Sequence, residues 1–324
     1  MSPPPEANPV SLRISVTDRC QYRCVYCTPA AGVKLFDRSR ILRYEQIVAF
    51  VRILRRHVGL SKVHLTGGEP LVRRDICRLV EMLADEGVGD LAMTTNGFLL
   101  AELAGDLKRA GLMRVNVSLD SLRPGTFRRI TRGGDLERTL RGIEAAGRSD
   151  LSPIKLNTTL LGGINDDEVV PLTRFALGEG LSLRFIELMP MGPAVEDYER
   201  RFVPARQVRV RLAEHFDVSP MPRERGSSAR WFAVCDDAGR SGRVGLISPC
   251  SEPFCADCNR LRLTACGELV GCLAMTGGRD ISPLLPVAGE ADADAILAEV
   301  QTALAQKRAG RRFPTDRPMA QIGG

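Results

Sequence analysis

Six short β-rich runs alternate with helical patterns over the first two thirds of the chain. That alternation limits the architecture more than any other feature of the sequence. The runs are Val10–Thr17 (VSLRISVT), Lys62–Thr66 (KVHLT), Leu91–Thr95 (LAMTT), Arg114–Leu119 (RVNVSL), Ile154–Leu160 (IKLNTTL) and Leu181–Glu187 (LSLRFIE). Helical periodicity covers Tyr44–His57, Asp75–Glu86, Leu100–Ala110, Leu136–Ala146 and Asp166–Ala176. Strands separated by helices pair in parallel, because the chain must cross back over the sheet before the next strand begins. The expected fold is therefore α/β, a parallel sheet of βα units. Its functional groups are expected at the C-terminal strand ends, where the βα loops collect. Cys20, Gly67, Asn96, Ser118 and Met189 fall at those ends.

The pattern changes after about residue 202. Pro204–Phe216 reads as one more helix, Ser219–Ser228 as a linker, residues 231–276 as short strands, and Ala291–Lys307 as an amphipathic helix. The Pro-rich residues 1–9 read as a mobile arm. This gives three regions: the arm at 1–9, a core at 10–217, and a C-terminal region at 218–324. No apolar run approaches 18 residues and the start has neither a basic nor an apolar signal segment. A cytoplasmic protein without a membrane partner is expected. The net charge of +6 suits an anionic small substrate, and with only 4 Tyr and 1 Trp no basic-aromatic surface for nucleic acid is evident.

Ten cysteines are many for such a chain, and six of them fall into two tight groups. The first is Cys20-Gln-Tyr-Arg-Cys24-Val-Tyr-Cys27, directly after the first strand. Three soft thiolates within eight residues suit an iron–sulfur cluster or zinc. On a four-iron cluster, three protein ligands leave one iron open to bind a small molecule. One βα unit later comes Thr66-Gly67-Gly68-Glu69-Pro70, whose glycines allow close approach of the backbone to a ligand. With an aromatic Tyr26 before the last cysteine, these motifs resemble the radical S-adenosylmethionine (SAM) superfamily. The resemblance implies a partial (β/α)6 barrel, with a smaller C-terminal Fe–S domain closing its mouth. It also implies a [4Fe-4S] cluster on Cys20, Cys24 and Cys27 whose open iron chelates SAM. One-electron reduction then cleaves SAM to methionine and a 5′-deoxyadenosyl radical.

The second group is Cys255-Ala-Asp-Cys258 followed by Cys272, and Asn259-Arg260-Leu261-Arg262 comes immediately after the CxxC. On a strand, Arg260 and Arg262 share one face, a pairing suited to phosphate. The spacing alone fits a zinc knuckle as well as a cluster, and Cys250 and Cys266 are available as a fourth ligand. Taken together, LRISVTDRCQYRCVYC, HLTGGEPLVR, MTTNG, VNVSLDS, RFIELMP, FCADCNRLRL and the Gly-Gly end resemble the GTP 3′,8-cyclase family of molybdenum cofactor biosynthesis, from about residue 10 to the last residue.

This narrower resemblance implies two [4Fe-4S] clusters, the second on Cys255, Cys258 and Cys272 with the guanine of GTP on its open iron. Arg13, His64, Thr94, Lys155, Arg260, Leu261 and Arg262 are implied in GTP binding, with Lys62 and Arg184 as further cations. Tyr26, Gly68, Ser118 and Met189 are implied at SAM. Arg13 joins the first cysteine triad as catalytic. The implied partners are GTP, an electron donor such as a flavodoxin or ferredoxin, and a downstream cyclic pyranopterin monophosphate synthase; a homodimer is compatible with the resemblance. The family usually has Arg where this chain has His64, so a titratable group replaces a fixed cation. His57 and His215 read as structural, and Cys77 and Cys235 as ordinary buried cysteines. The Gly323-Gly324 end is expected to reach into the barrel. Two other classes compete: a peptide-modifying radical SAM maturase, and an Fe–S or zinc protein that binds nucleic acid. No Walker A loop, HExxH or GxSxG is present, which disfavours ordinary GTPase, zinc-protease and serine-hydrolase chemistry.

Overall fold

A computed structural model describes residues 9–224, 226–255, 258–274, 277–287, 289–307, 313 and 318–323. Its first six strands are β1 (Val10–Ser15), β2 (Leu60–Thr66), β3 (Leu91–Thr95), β4 (Arg114–Ser118), β5 (Lys155–Leu160) and β6 (Ser182–Glu187). They pair in parallel in sequence order. The C-terminal region adds β7 (Asp217–Pro220), β8 (Arg230–Cys235), β9 (Ser241–Ile247), β10 (Arg260–Leu263), β11 (Glu268–Val270) and β12 (Arg279–Asp280). These flank the first six on both sides: β10 pairs parallel to β1, β9 pairs parallel to β6, and antiparallel hairpin partners complete each edge. The result is one sheet of order β12-β11-β10-β1-β2-β3-β4-β5-β6-β9-β8-β7. No pairing between its two edges occurs among the described residues, as expected for a partial barrel.

The helices are α1 (Tyr44–His57), α2 (Ile76–Asp85), α3 (Leu100–Arg109), α4 (Pro124–Thr131), α5 (Leu136–Arg148), α6 (Val169–Gly178), α7 (Tyr198–Arg201), α8 (Ala205–Ala213), α9 (Ala293–Gln306) and α10 (Met319–Ile322). Most of the sequence periodicities reappear, α1 residue for residue. Two differ. The expected linker at 219–228 begins inside β7, which is zipped to β8. The sequence reading also has no helix where α4 lies, because Pro124 and Gly125 obscure it. Pro124 in fact sits in the first turn, where its missing N–H costs nothing, while Phe127, Ile130 and Thr131 are buried.

Strand alternation puts the apolar core outside the barrel and the polar residues inside. Leu12 and Ile14, Val63 and Leu65, Val115 and Val117, and Leu261 and Leu263 are buried in the main apolar core. Their neighbours Arg13, His64, Asn116 and Arg262 face inward, lining a central cavity. A strand has a two-residue period, so each strand serves both surfaces.

The Gly67-Gly68 turn joins β2 to the loop that follows β1. Gly68 N–H donates to Thr17 O at 2.7 Å, and Glu69 N–H to Arg19 O at 2.8 Å. A Cβ on Gly68 would lie 2.4 Å from Arg19 O, and one on Gly67 would lie 2.7 Å from Thr17 O. Both glycines are thus required by the chain's own backbone, whatever ligand they also meet. Gly68→Ala is expected to lower unfolding free energy by about 1–3 kcal/mol, measured by urea unfolding of the apoprotein; an unchanged midpoint would contradict this packing.

Candidate functional site

All the expected site residues except Leu261 line one cavity of about 780 Å³ at the centre of the barrel. Cys20, Cys24, Cys27, Tyr26, Gly68, Ser118 and Met189 contribute to it, and so do Cys255, Cys258 and Cys272. Between the triads stand cations from five strands: Arg13 on β1, Lys62 on β2, Lys155 on β5, Arg184 on β6, and Arg260 and Arg262 on β10. Register sets their spacing, since Arg13 pairs with Arg262 on one side and with His64 on the other. Leu261 is the correction: it is fully buried on the opposite face of β10, so its side chain does not line the cavity. A residue between two inward-pointing neighbours must point outward.

The cations crowd one another. Burial, then Arg260 and Arg184, lowers Arg13 to about 9. Burial, then Arg114 and Arg243, brings Arg184 to about 9 as well. Lys155 falls to about 8, first through burial and then through Arg184, Arg114, Arg243 and Lys62. Arg262 is driven well down by burial, Arg13 and Arg260, while its Nη1 donates to Gly323 O at 2.8 Å. Among the described residues no carboxylate pairs with Arg184 or Arg262, and Nε of Arg184 and of Arg260 has no hydrogen-bond partner. Buried donors left this way are costly, and a polyanion in the cavity would satisfy them. The outer pair is neutralised: Arg114 makes a two-pronged bond to Asp90 at 2.9 and 3.0 Å, and Lys62 Nζ lies 3.6 Å from the same carboxylate.

His64 lies within this cluster. Burial first, then Arg13, Arg114, Arg184 and Lys62, holds its imidazole well below the ordinary value, so it is neutral. Its Nε2 shares a 2.7 Å hydrogen bond with Thr94 Oγ1, and Asn116 Nδ2 donates to Thr94 Oγ1 at 3.3 Å. His64 therefore adds a neutral, hydrogen-bonding wall to the cavity and not a further cation.

The triads suit iron–sulfur ligation. Burial pushes Cys20 up to about 12 and Cys24 well above its usual range, so bare thiols stay protonated and a metal must displace the protons. N–H donors already face the sulfurs. Tyr22 N–H donates to Cys20 Sγ at 3.4 Å, Asn96 Nδ2 to the same sulfur at 3.8 Å, and Ala274 N–H to Cys272 Sγ at 3.4 Å. Burial alone would raise Cys258, but Arg260 and Lys307 outweigh it and hold the thiol below its usual value. Such donors tune cluster potential. No three Cys, His, Asp or Glu side chains among the described residues converge on a single-ion site. A cluster core, with its own inorganic sulfides, spans a wider triad than one ion does.

Around the first triad, Tyr26 OH donates to Asp120 Oδ2 at 2.7 Å, and Glu69 accepts from Asn96 N–H and Thr95 Oγ1, both at 2.7 Å. Burial raises Asp120 to about 6 and Glu69 to about 7. Glu69, Asp120, Asn116, Asn157 and Trp231 are cavity residues that sequence reasoning missed. Asn116, Asn157 and Trp231 lie on β4, β5 and β8 and carry the same alternation that flagged Arg260 and Arg262, whereas Glu69 and Asp120 lie in the loops after β2 and β4. Trp231 came from the region read only as short strands; Lys155 Nζ stands 5.7 Å from its ring centroid. Of the candidate fourth ligands, Cys250 lines the cavity beside Glu187, whereas Cys266 lines a separate pocket of about 320 Å³ with Arg40 and Asp280. His57 and His215 are exposed, and Cys77 and Cys235 are half-buried rather than buried. Gly323 sits against Ser15 and Thr66, so the tail does reach the barrel; Gly324 and residues 1–8 lie outside the described residues. Among those described, no helix is long and apolar enough to cross a membrane.

Comparisons with known proteins agree with this geometry. The signature of the Radical SAM superfamily matches residues 14–176, and that of Molybdenum Cofactor Synthesis C matches residues 181–313. Curated relatives named GTP 3′,8-cyclase include one from Moorella thermoacetica, 43% identical, and one from Pelotomaculum thermopropionicum, 42% identical, each over 97% of both chains. A third, from Heliobacterium modesticaldum, is 46% identical over 81% of this chain and 80% of its own. Among solved structures, Streptococcus suis SuiB bound to S-adenosylmethionine has a TM-score of 0.61 at 12% identity, covering 85% of this chain and 63% of that one. That likeness concerns the fold alone.

Lys155 yields a pH prediction. Between about pH 8 and its ordinary 10.5 the unfolded chain holds the proton and the folded chain does not, so the Lys155 contribution makes stability rise with pH across that window. Without ligand, Lys155→Met is expected to melt above the unaltered protein at pH 7, with the gap closing by pH 10.5. Added tripolyphosphate is expected to reverse the order at pH 7. Thermal unfolding curves that keep one constant gap would contradict this.

Proposed function

Because the chain belongs to the radical SAM superfamily and, within it, to the GTP 3′,8-cyclase family, we propose that it converts GTP to 3′,8-cyclo-7,8-dihydro-GTP, the first step of molybdenum cofactor biosynthesis, as a radical SAM lyase. The observation that carries this reading is the cluster of half-buried cations in the cavity that both cysteine triads line, of which Arg184 and Arg262 have no carboxylate partner among the described residues. A triphosphate supplies the missing negative charge, and the names of the relatives favour this over a peptide substrate.

Cys20, Cys24 and Cys27 would hold one [4Fe-4S] cluster at the SAM end, and Cys255, Cys258 and Cys272 a second at the guanine end. When bound, the first cluster with SAM supplies a carbon radical that takes the hydrogen from ribose C3′. The chain's own residues then govern position and solvent. Arg13, Lys155, Arg184, Arg260 and Arg262 bind the triphosphate, and their mutual repulsion in its absence is relieved as it enters. His64, Thr94 and Asn116 add directional, uncharged hydrogen bonds. Gly68, Tyr26, Ser118 and Met189 flank SAM, with Tyr26 fixed by Asp120. Holding C3′ close to C8 of guanine turns ring closure into an intramolecular step. One electron and one proton complete the product. Arg262 and the Gly323 carbonyl bonded to it cover the cavity from the β10 side.

In the same reading residues 218–324 form the auxiliary-cluster region and 10–217 the SAM core. The enzyme acts in the cytoplasm, as a homodimer, between an electron donor and cyclic pyranopterin monophosphate synthase.

Anaerobically reconstituted enzyme, given SAM, dithionite and GTP deuterated at C3′, is expected to place deuterium in 5′-deoxyadenosine and to form the cyclised nucleotide. Deuterium-free 5′-deoxyadenosine with GTP recovered intact would overturn the proposal. Arg262→Ala is expected to lower kcat/KM by about 10²-fold, the cost of losing one buried charge contact.

A further inference from the structure

The first triad sits on a loop whose other surface is exposed and strongly basic. Gln21 and Arg23 on that loop are exposed, while Cys20, Cys24 and Cys27 are half-buried and line the cavity. The loop is laced to the end of α4. Arg23 N–H donates to Thr131 O at 3.0 Å and Val25 N–H to Ile130 O at 2.9 Å. Arg132 Nη1 donates back to Thr28 O at 2.7 Å and to Arg23 O at 3.3 Å. Arg128 and Arg129 lie in the last turn of α4 and Arg132 is the residue that caps it, and all three are exposed like Arg23.

These four charges differ from other surface arginines nearby. Arg138 pairs with Glu102, Arg141 with Glu137, Arg148 with Glu144, and Arg123 with Asp167 and Glu168. No ion pair joins Arg23, Arg128, Arg129 or Arg132 to a carboxylate among the described residues. Asp135, nearby in sequence, is engaged as the N-cap of α5, accepting from Arg138 N–H at 3.1 Å. Like charges gathered this way repel one another, although Arg132 also ties the loop to α4 through Thr28 O and Arg23 O. They place positive charge on the loop that carries the first triad and on the helix end bonded to it.

We propose that this face, Arg23 with Arg128, Arg129 and Arg132, is the docking surface for an acidic one-electron carrier protein. The inference rests on the radical SAM reading of the site, which requires electrons to enter from outside. The step is simple in balance: the carrier is oxidised by one electron, the cluster on Cys20, Cys24 and Cys27 is reduced by one, and no bond or proton moves. Complementary charge steers such an encounter and sets its orientation, and it weakens with salt. Arg23 lies on the same loop as the three thiols, directly before Cys24.

The test uses reconstituted holoenzyme and a purified flavodoxin labelled for fluorescence anisotropy. Among the described residues the Arg128 and Arg129 side chains make no hydrogen bond or ion pair, so R128E/R129E is the variant of choice, with R128Q/R129Q as a milder second. The charge reversal is expected to weaken flavodoxin binding at least tenfold at low salt, the neutral pair by less, and salt is expected to weaken binding to the unaltered enzyme. Reversal at the opposite end of the barrel, R55E/R56E in the last turn of α1, is expected to leave binding intact. Dithionite-driven cleavage of SAM is expected to be the same in all of them, while flavodoxin-driven cleavage falls with binding. Unchanged binding by R128E/R129E, or equal loss in R55E/R56E, would overturn the docking surface alone. Failure of dithionite-driven cleavage in the unaltered enzyme would instead overturn the radical reading, and this proposal with it.

Discussion

Arg184 and Arg262 stand half-buried in the barrel beside Arg13 and Arg260, with no carboxylate among the described residues to neutralise either. A folded chain tolerates this only if the surrounding scaffold is stable enough to hold like charges together, and only if something else is meant to share the space. The scaffold answers the first condition. Each central strand gives its apolar residues to the surrounding helices and its polar residues to the interior, so the hydrophobic core is a sleeve around the cavity. The lowered values of Arg13, Arg184 and Lys155 come from burial and from the neighbouring cations, and both effects weaken when an anion shares the cavity.

Two features place chemistry at the ends of that charged interior. One is the contact of backbone on backbone between Gly67-Gly68 and Thr17–Arg19, which fixes the entry into the first cysteine loop. The other is the insertion of β10 beside β1. That single pairing brings Arg260 and Arg262 into register with Ser11 and Arg13 and carries the second triad over the opposite part of the cavity. The two halves of the chain therefore build one site, and neither half contains it alone.

Much of this was legible in the sequence because it is local. The cysteine spacings, the Gly-Gly turn after β2 and the inward alternation of Arg260 and Arg262 are properties of short segments. What the sequence hid is non-local. Nothing in residues 241–263 says that β9 and β10 add to opposite edges of the first sheet. Trp231 becomes a site residue only through that assembly. Leu261 was misplaced by its neighbours' roles, although the same period of two that put Arg260 and Arg262 inside puts it outside. Cys266 was grouped with the second triad by proximity in sequence, but a turn carries it to the far side of the edge hairpin.

The central claim is that both triads are open iron–sulfur sites facing one substrate cavity. The most direct measurement is the content of iron, sulfide and zinc per chain after anaerobic reconstitution without substrate. About eight irons and eight sulfides, with zinc absent, is the result this account predicts, since two four-iron clusters require it. About four irons with one tightly held zinc would contradict it, because the second triad would then be structural and the guanine site placed beside it would have no iron to bind.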